Sequence, residues 1–281
     1  MDARWKALAA GHAWIMGVLN CTPDSFSDGG LYVDTASRLE HALQMTAQGA
    51  AIVDVGGEST RPGSQPVPVD EELLRVIPVV EALADHGVVV SIDTCKPEVM
   101  RAAIQAGARM VNDVNALLAD GALDAVAGSD ADICLMHMRG TPQTMQHAVH
   151  YNDVVDEVIS FLESRAKACI AAGIAAHRIL LDPGIGFGKR LQDNLDLIAA
   201  IPRLRELGFP VLMGVSRKSF LGELSGSSVA DREIETASAV TACVLLGADV
   251  LRVHDVAAQK RAIGVASALA LASSNQAVRL A

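Results

Sequence analysis

AIVDVGG (residues 51–57) and VVVSIDT (residues 88–94) are continuous apolar runs interrupted or ended by an aspartate. A strand with one wet face alternates apolar and polar side chains. A strand covered on both faces, as in a parallel sheet flanked by helices, does not. Six more runs share the character: WIMGVLN (14–20), RMVNDV (109–114), DICLMHM (132–138), RILLDPG (178–184), PVLMGVS (210–216) and VLRVHDV (250–256). Between them the period changes to that of helices. Leu39, Ala42, Leu43, Thr46 and Ala47 share one predicted face, and Val155, Val158, Ile159, Leu162 and Ala166 another, on a helix from about Asn152 to Gly173. Segments 97–107, 191–201, 232–247 and 257–273 also have helical period. Eight strands alternating with helices predict an α/β protein, a single (β/α)8 TIM barrel spanning 1–281 as one domain.

Composition agrees and excludes. The chain has 281 residues, 51% of them hydrophobic and only 3% aromatic, so an aliphatic core is available. A formal net charge of −10 argues against general nucleic-acid binding, which needs a basic footprint. Five scattered cysteines without C-x-x-C spacing point to reduced thiols, and no apolar run is long enough to span a membrane. The expected location is the cytoplasm. No membrane or nucleic-acid partner is expected.

Polar residues enter the runs at or near their C-terminal ends: Asn20, Asp54, Asp93, Asn112, His137, Asp182, Lys218, Arg252 and His254. In a barrel these ends converge on the face where active sites are built. A carboxylate at one strand end is commonly a helix cap. Capping does not explain eight strand ends, nor Lys218, Arg252 or His254.

The motifs NCTPDSFSDGG, GGESTRPG, SIDT, LMHMRGTPQTMQ, LDPGIGFGK, GVSRKSFLG and RVHDV resemble, in sequence and order, those of the dihydropteroate synthase family. The resemblance runs from the first strand to the last. It implies a magnesium-dependent transferase that condenses 6-hydroxymethyl-7,8-dihydropterin diphosphate with 4-aminobenzoate, giving dihydropteroate and pyrophosphate. It also implies an S_N1-like loss of diphosphate and a homodimer formed through late helices. Two residues depart from the family pattern: Cys21, where Val is usual, and Glu235, where many members place Gly before a long helix. Related pterin-binding methyltransferases, a non-catalytic pterin binder and an unrelated phosphate-binding barrel are the alternatives.

The chemistry suits the residues. A pterin edge of adjacent N–H donors pairs with a carboxylate, which makes Asp93 and Asp182, with Asn112, candidate readers; helix capping is their alternative role. Asp54 either contacts the pterin or braces its neighbours. Met136 and Ile92 are candidate walls, and Lys218 lies over or beside the ring by the resemblance. Arg252, His254, Arg61, Asn20 and Thr60 form a candidate diphosphate site, with His254 a neutral donor or a cation. Magnesium takes few protein ligands and keeps water, so the Asn20 carbonyl suffices as its protein ligand. Phe26, Pro62 and Phe187 are expected to enclose the benzoate ring, and Ser219 to meet its carboxylate. Asp28 would hold the loop through metal-bound water or accept a proton from the attacking amine.

Overall fold

The computed structural model describes residues 13–22, 31–61, 63–145 and 149–280. Phe26, Asp28 and Pro62 lie outside them. Eight strands run in chain order: β1 (Trp14–Asn20), β2 (Ile52–Gly56), β3 (Val90–Asp93), β4 (Met110–Asp113), β5 (Asp132–Met136), β6 (Ile179–Asp182), β7 (Leu212–Met213) and β8 (Val250–Val253). All pair in parallel in the order β6-β5-β4-β3-β2-β1-β8-β7. One bridge, Leu181 to Val211, brings the two edges together, with the Leu181 N–H donating to the Pro210 carbonyl at 2.9 Å. The predicted barrel is therefore present. Its seventh strand, Leu212–Met213, is much shorter than 210–216; at its start Pro210 has no N–H to give and the Val211 N–H goes to Asp249 Oδ2 at 2.9 Å.

Helices α1 (Leu31–Gln48), α2 (Val69–Asp85), α3 (Pro97–Gln105), α4 (Ala122–Ala127), α5 (Val154–Ala171), α6 (Leu191–Ala199), α7 (Ile201–Arg205), α8 (Ser219–Ser225), α9 (Glu233–Leu245) and α10 (Val256–Leu280) fill the connections. Asp153 caps α5 by accepting the Asp156 N–H at 2.9 Å, which starts that helix two residues after Asn152. On α1 the buried side chains are Ala42 and Met45, while Thr46 and Ala47 face outward. Among the described residues no helix is long and apolar enough to cross a membrane.

Alternation along the strands divides the core in two. Met16, Ile52, Met110, Cys134, Leu180, Leu212 and Val250 fill the barrel interior, with Trp14 packed against them. The outward residues Val53, Val55, Val90 and Ile92 join Val76, Val79, Val80 and Leu83 of α2 in the larger sheet–helix core. Each such side chain contributes roughly 1.5–3 kcal/mol when fully buried. Ile92 is thus no wall of the barrel interior. It precedes an inward Asp93, so parity turns it to the helices.

Candidate active site

Above the apolar interior layer the inward positions become polar. Register sets Asp54 beside Ser91, Asp93 beside Asn112 and Met136 beside Asp182. Arg252, next inward after Val250, crosses to the opposite wall. Its Nε donates to Asp54 Oδ2 at 2.6 Å, and its Nη2 to Asp93 Oδ2 at 2.7 Å. Asn112 Nδ2 also donates to Asp54 Oδ2, at 3.0 Å. Asp54 is fully buried and holds Arg252 and Asn112 together, which is the bracing role. Asp54 Oδ1 and Asn112 Oδ1 remain buried without a hydrogen-bond partner. Burial pushes the Asp93 carboxyl up to about 7, against the downward pull of Arg252.

Neither reader carboxylate caps a helix. Lys96 occupies the α3 cap position, and Thr94 Oγ1 accepts its N–H. Asp182 Oδ1 accepts the Gly184 N–H at 2.7 Å and so shapes its own turn, while Arg190 stands at the start of α6. Burial raises the Asp182 pKa, opposed by that hydrogen bond and by Lys218. The turn needs glycine. Gly184 has φ of 70°, and a Cβ there would stand 1.9 Å from the His137 carbonyl oxygen.

The loops after β6 and β7 meet at Lys218, whose Nζ stands 4.0 Å from the centre of the half-buried Phe187 ring. Burial, and then the charge of Arg252, lowers the lysine to about 8. Met136 is buried beside Asp182, and the exposed Ser219 begins α8. His254 follows β8 with Nδ1 3.0 Å from Ser216 Oγ, which also accepts the His254 backbone N–H at 3.3 Å. Burial, with Arg252, Arg217, Lys218 and Arg61 adding to it, pulls the imidazole down to about 4. It is therefore neutral at pH 7. In the tautomer where Ser216 Oγ accepts the backbone N–H and donates its own hydrogen to Nδ1, the ring proton sits on Nε2 and is available to an anion. Arg61 is exposed in the loop after β2, and Asn20 is exposed at the end of β1. Thr60 lines a cavity of about 190 Å³ shared with Asp93, Thr94, Lys96 and Asn115.

The structure thus brings Asp93, Asn112, Asp182, Met136, Lys218, Arg252 and His254 to one barrel mouth, with Thr60, Arg61, Phe187, Ser219 and Asn20 on its rim. Sequence reasoning missed Ser216, the partner of His254, although it lies in the stretch GVSRKSFLG. It also missed Lys189 of GFGK, a buried lysine whose Nζ stands 3.0 Å from His137 Nδ1 and donates to the carbonyls of His137 and Phe187. Burial lowers Lys189 to about 7. It ties the loop after β6 to the end of β5, so His137 is a structural partner. Among the described residues no three His, Cys, Asp or Glu side chains are grouped to hold a metal ion. A single neutral oxygen from Asn20 fits a cation that retains its waters and leans on substrate phosphate.

The sequence matches the pterin binding enzyme family over residues 16–254. It is 44% identical to the dihydropteroate synthase of Escherichia coli over 275 residues, 98% of each chain. It is 49% identical to that of Neisseria meningitidis over 264 residues, 92% of this chain and 93% of the other. Among solved structures, the Xanthomonas albilineans dihydropteroate synthase with 4-aminobenzoic acid superposes with a TM-score of 0.86 at 50% identity, covering 92% of this chain and 94% of that one. The Burkholderia cenocepacia dihydropteroate synthase complexed with 7,8-dihydropteroate gives 0.85 at 46% identity, covering 94% and 93%.

Proposed function

This chain belongs to the pterin binding enzyme family and, within it, to the dihydropteroate synthases, and we propose how its barrel mouth carries out their condensation of dihydropterin diphosphate with 4-aminobenzoate. The observation that carries the proposal is the convergence of Asp93, Asn112 and Asp182 beside Lys218. It supplies paired acceptors, an amide and a cation at the depth where a flat heterocycle enters. Asp182 and Asp93 accept from the pterin N–H edge, Asn112 adds donor and acceptor, and Met136 and Lys218 flank the ring. Asp54 serves from below by holding Arg252 and Asn112 in place.

Loss of diphosphate leaves positive charge on the exocyclic methylene, and the electron-rich dihydropterin ring spreads it. The chain's main task is to stabilise the departing anion. Because two carboxylates already balance Arg252, the added positive charge comes from Arg61 and Lys218, and His254 donates from Nε2. Asn20 would hold magnesium alongside the substrate, and the ion would supply further charge neutralisation when bound. The arylamine then attacks the methylene carbon and gives up a proton. Phe187, Thr60 and Ser219 lie on the rim where its ring and carboxylate would rest. Phe26, Asp28 and Pro62 join them on the strength of their motifs alone: Phe26 and Pro62 enclosing the benzoate, and Asp28 ordering its loop or taking the amine proton.

We further read the chain as one cytoplasmic domain that works as a homodimer. Support for the dimer comes from exposed apolar side chains on α9 and α10, among them Ile234, Leu245, Val265 and Leu269. Sedimentation at twice the chain mass is expected. The functional test combines the dihydropterin diphosphate, 4-aminobenzoate and magnesium. Pyrophosphate and dihydropteroate should appear in equal amounts. Methylation of a corrinoid from methyl-tetrahydrofolate instead would overturn the assignment.

A further inference from the structure

The turn between β7 and α8 carries Ser216, Lys218 and Ser219, and one residue in it has an unusual backbone. Arg217 has φ of 57°, in the left-handed region that side chains with a Cβ seldom occupy. Such a conformation persists only where its surroundings impose it. Here they come from α9 and the residue before it. Thr236, fully buried, accepts the Arg217 N–H on Oγ1 at 3.1 Å. Glu233 Oε1 accepts from Arg217 Nε and pairs with Nη2, both at 2.7 Å. The other Glu233 oxygen is fixed by Nε2 of the buried Gln259 at 3.1 Å. Arg232 Nη1 donates to the carbonyls of Arg217 and Lys218 at 3.2 and 3.4 Å. The backbone on both sides of the strained residue and its side chain are thus all held from a helix outside the barrel mouth.

We propose that Thr236 and Glu233 are positioning residues for this reaction: by holding Arg217 left-handed they aim Lys218 over Phe187 and keep Ser216 on His254. The proposal rests on the roles given above to Lys218 and Ser219. Released from the clamp, Arg217 relaxes to a negative φ and turns the following residues out of the mouth. Asp93, Asn112 and Asp182 lie on other strands and stay in place, so the carboxylate and amide contacts to the pterin survive while Lys218 at the ring and diphosphate, His254 and the benzoate side at Ser219 loosen. The start of α9 therefore does more than join β7 to β8.

The test uses the full chain. Thr236→Val keeps the shape of the side chain and removes the acceptor. It is expected to raise KM for 4-aminobenzoate and to lower kcat, each about tenfold, and to speed amide exchange in peptide 214–221 by a similar factor, because a buried N–H loses its partner and Lys218 and His254 lose their aim. Thr236→Ser, which keeps the hydroxyl, should restore all three. Glu233→Gln, on a partly exposed side chain, should shift KM and exchange in the same direction and by less. A role in stability alone would lower the active fraction and leave KM untouched. Unchanged KM and exchange in both variants overturn the proposal, and if Thr236→Val does not fold, Glu233→Gln decides by itself. A wild-type chain that forms no dihydropteroate overturns the assignment of Lys218 and Ser219; the exchange measurement still judges the clamp.

Discussion

Replacing Arg252 with methionine removes the cation facing two buried carboxylates while keeping an unbranched side chain. Asp54 is fully buried and Asp93 8% exposed, and the guanidinium meets them at 2.6 and 2.7 Å. Removing one partner of a buried pair costs about 3–5 kcal/mol, because the remaining charge is left where water cannot solvate it. The stranded carboxylates have one escape, which is to take up a proton. Asp93 already stands at about 7 with Arg252 present, so losing the arginine moves it higher. Above pH 7 the folded variant then holds a proton that the wild-type fold and both unfolded chains have released. Stability falls as pH rises wherever the folded state binds the extra proton, by about 1.4 kcal/mol per unit for one proton. The deficit against wild type should therefore be roughly 2 kcal/mol larger near pH 8.5 than near pH 6.5. Parallel urea unfolding of both proteins, followed by circular dichroism at the two pH values, measures it. A deficit below about 1 kcal/mol, or one equal at both pH values, would refute the ion-pair account. Adding Asp54→Asn to Arg252→Met should recover part of the loss, since one stranded charge is gone.

Pterin affinity should rise as pH climbs through about 7, where Asp93 becomes a charged acceptor, and Asp93→Asn should abolish that rise in a calorimetric titration. Asp182→Asn keeps an oxygen for the Gly184 N–H, so it should fold normally while binding a simple pterin about 1–3 kcal/mol more weakly. Unchanged affinity in that folded variant would reduce Asp182 to a turn former. A sulfonamide mimic of 4-aminobenzoate should bind more tightly with pyrophosphate, magnesium and a pterin present than without, and reciprocally. Phe26→Ala should remove much of that coupling, and equal sulfonamide affinity with and without pyrophosphate argues against it.

The barrel was legible because its strands are covered on both faces, and uninterrupted apolar runs announce that condition. The polar inward layer was legible as well, since carboxylates, amides and cations at so many of these strand ends are more than capping and turn formation require. Partners were not legible. Arg252 reaches Asp54 across 198 residues and Asp93 across 159, and nothing local to RVHDV says that its guanidinium is already engaged. Parity was available and would have served: Ile92 must face away if Asp93 faces in. Ser216 left no signal, because a serine at a strand end suits a turn equally well. Glu235, the departure from the family pattern, falls in the first turn of α9, which begins regularly at Glu233.

Seven of the eight strand contacts are ladders of two or more paired residues; the eighth, between β6 and β7, is a single bridge. A closed wall with one sparse joint opens there first when it fluctuates. The strand end and loops on either side of the joint carry Asp182 and Phe187 on one edge, Ser216 and Lys218 on the other. In the proposed binding mode, a heterocycle gripped by Asp182 and Lys218 would straddle the gap and fasten it like a rivet. Substrate would then complete the wall that the backbone leaves thin, and protection gained on binding should be greatest at Leu181 and Val211.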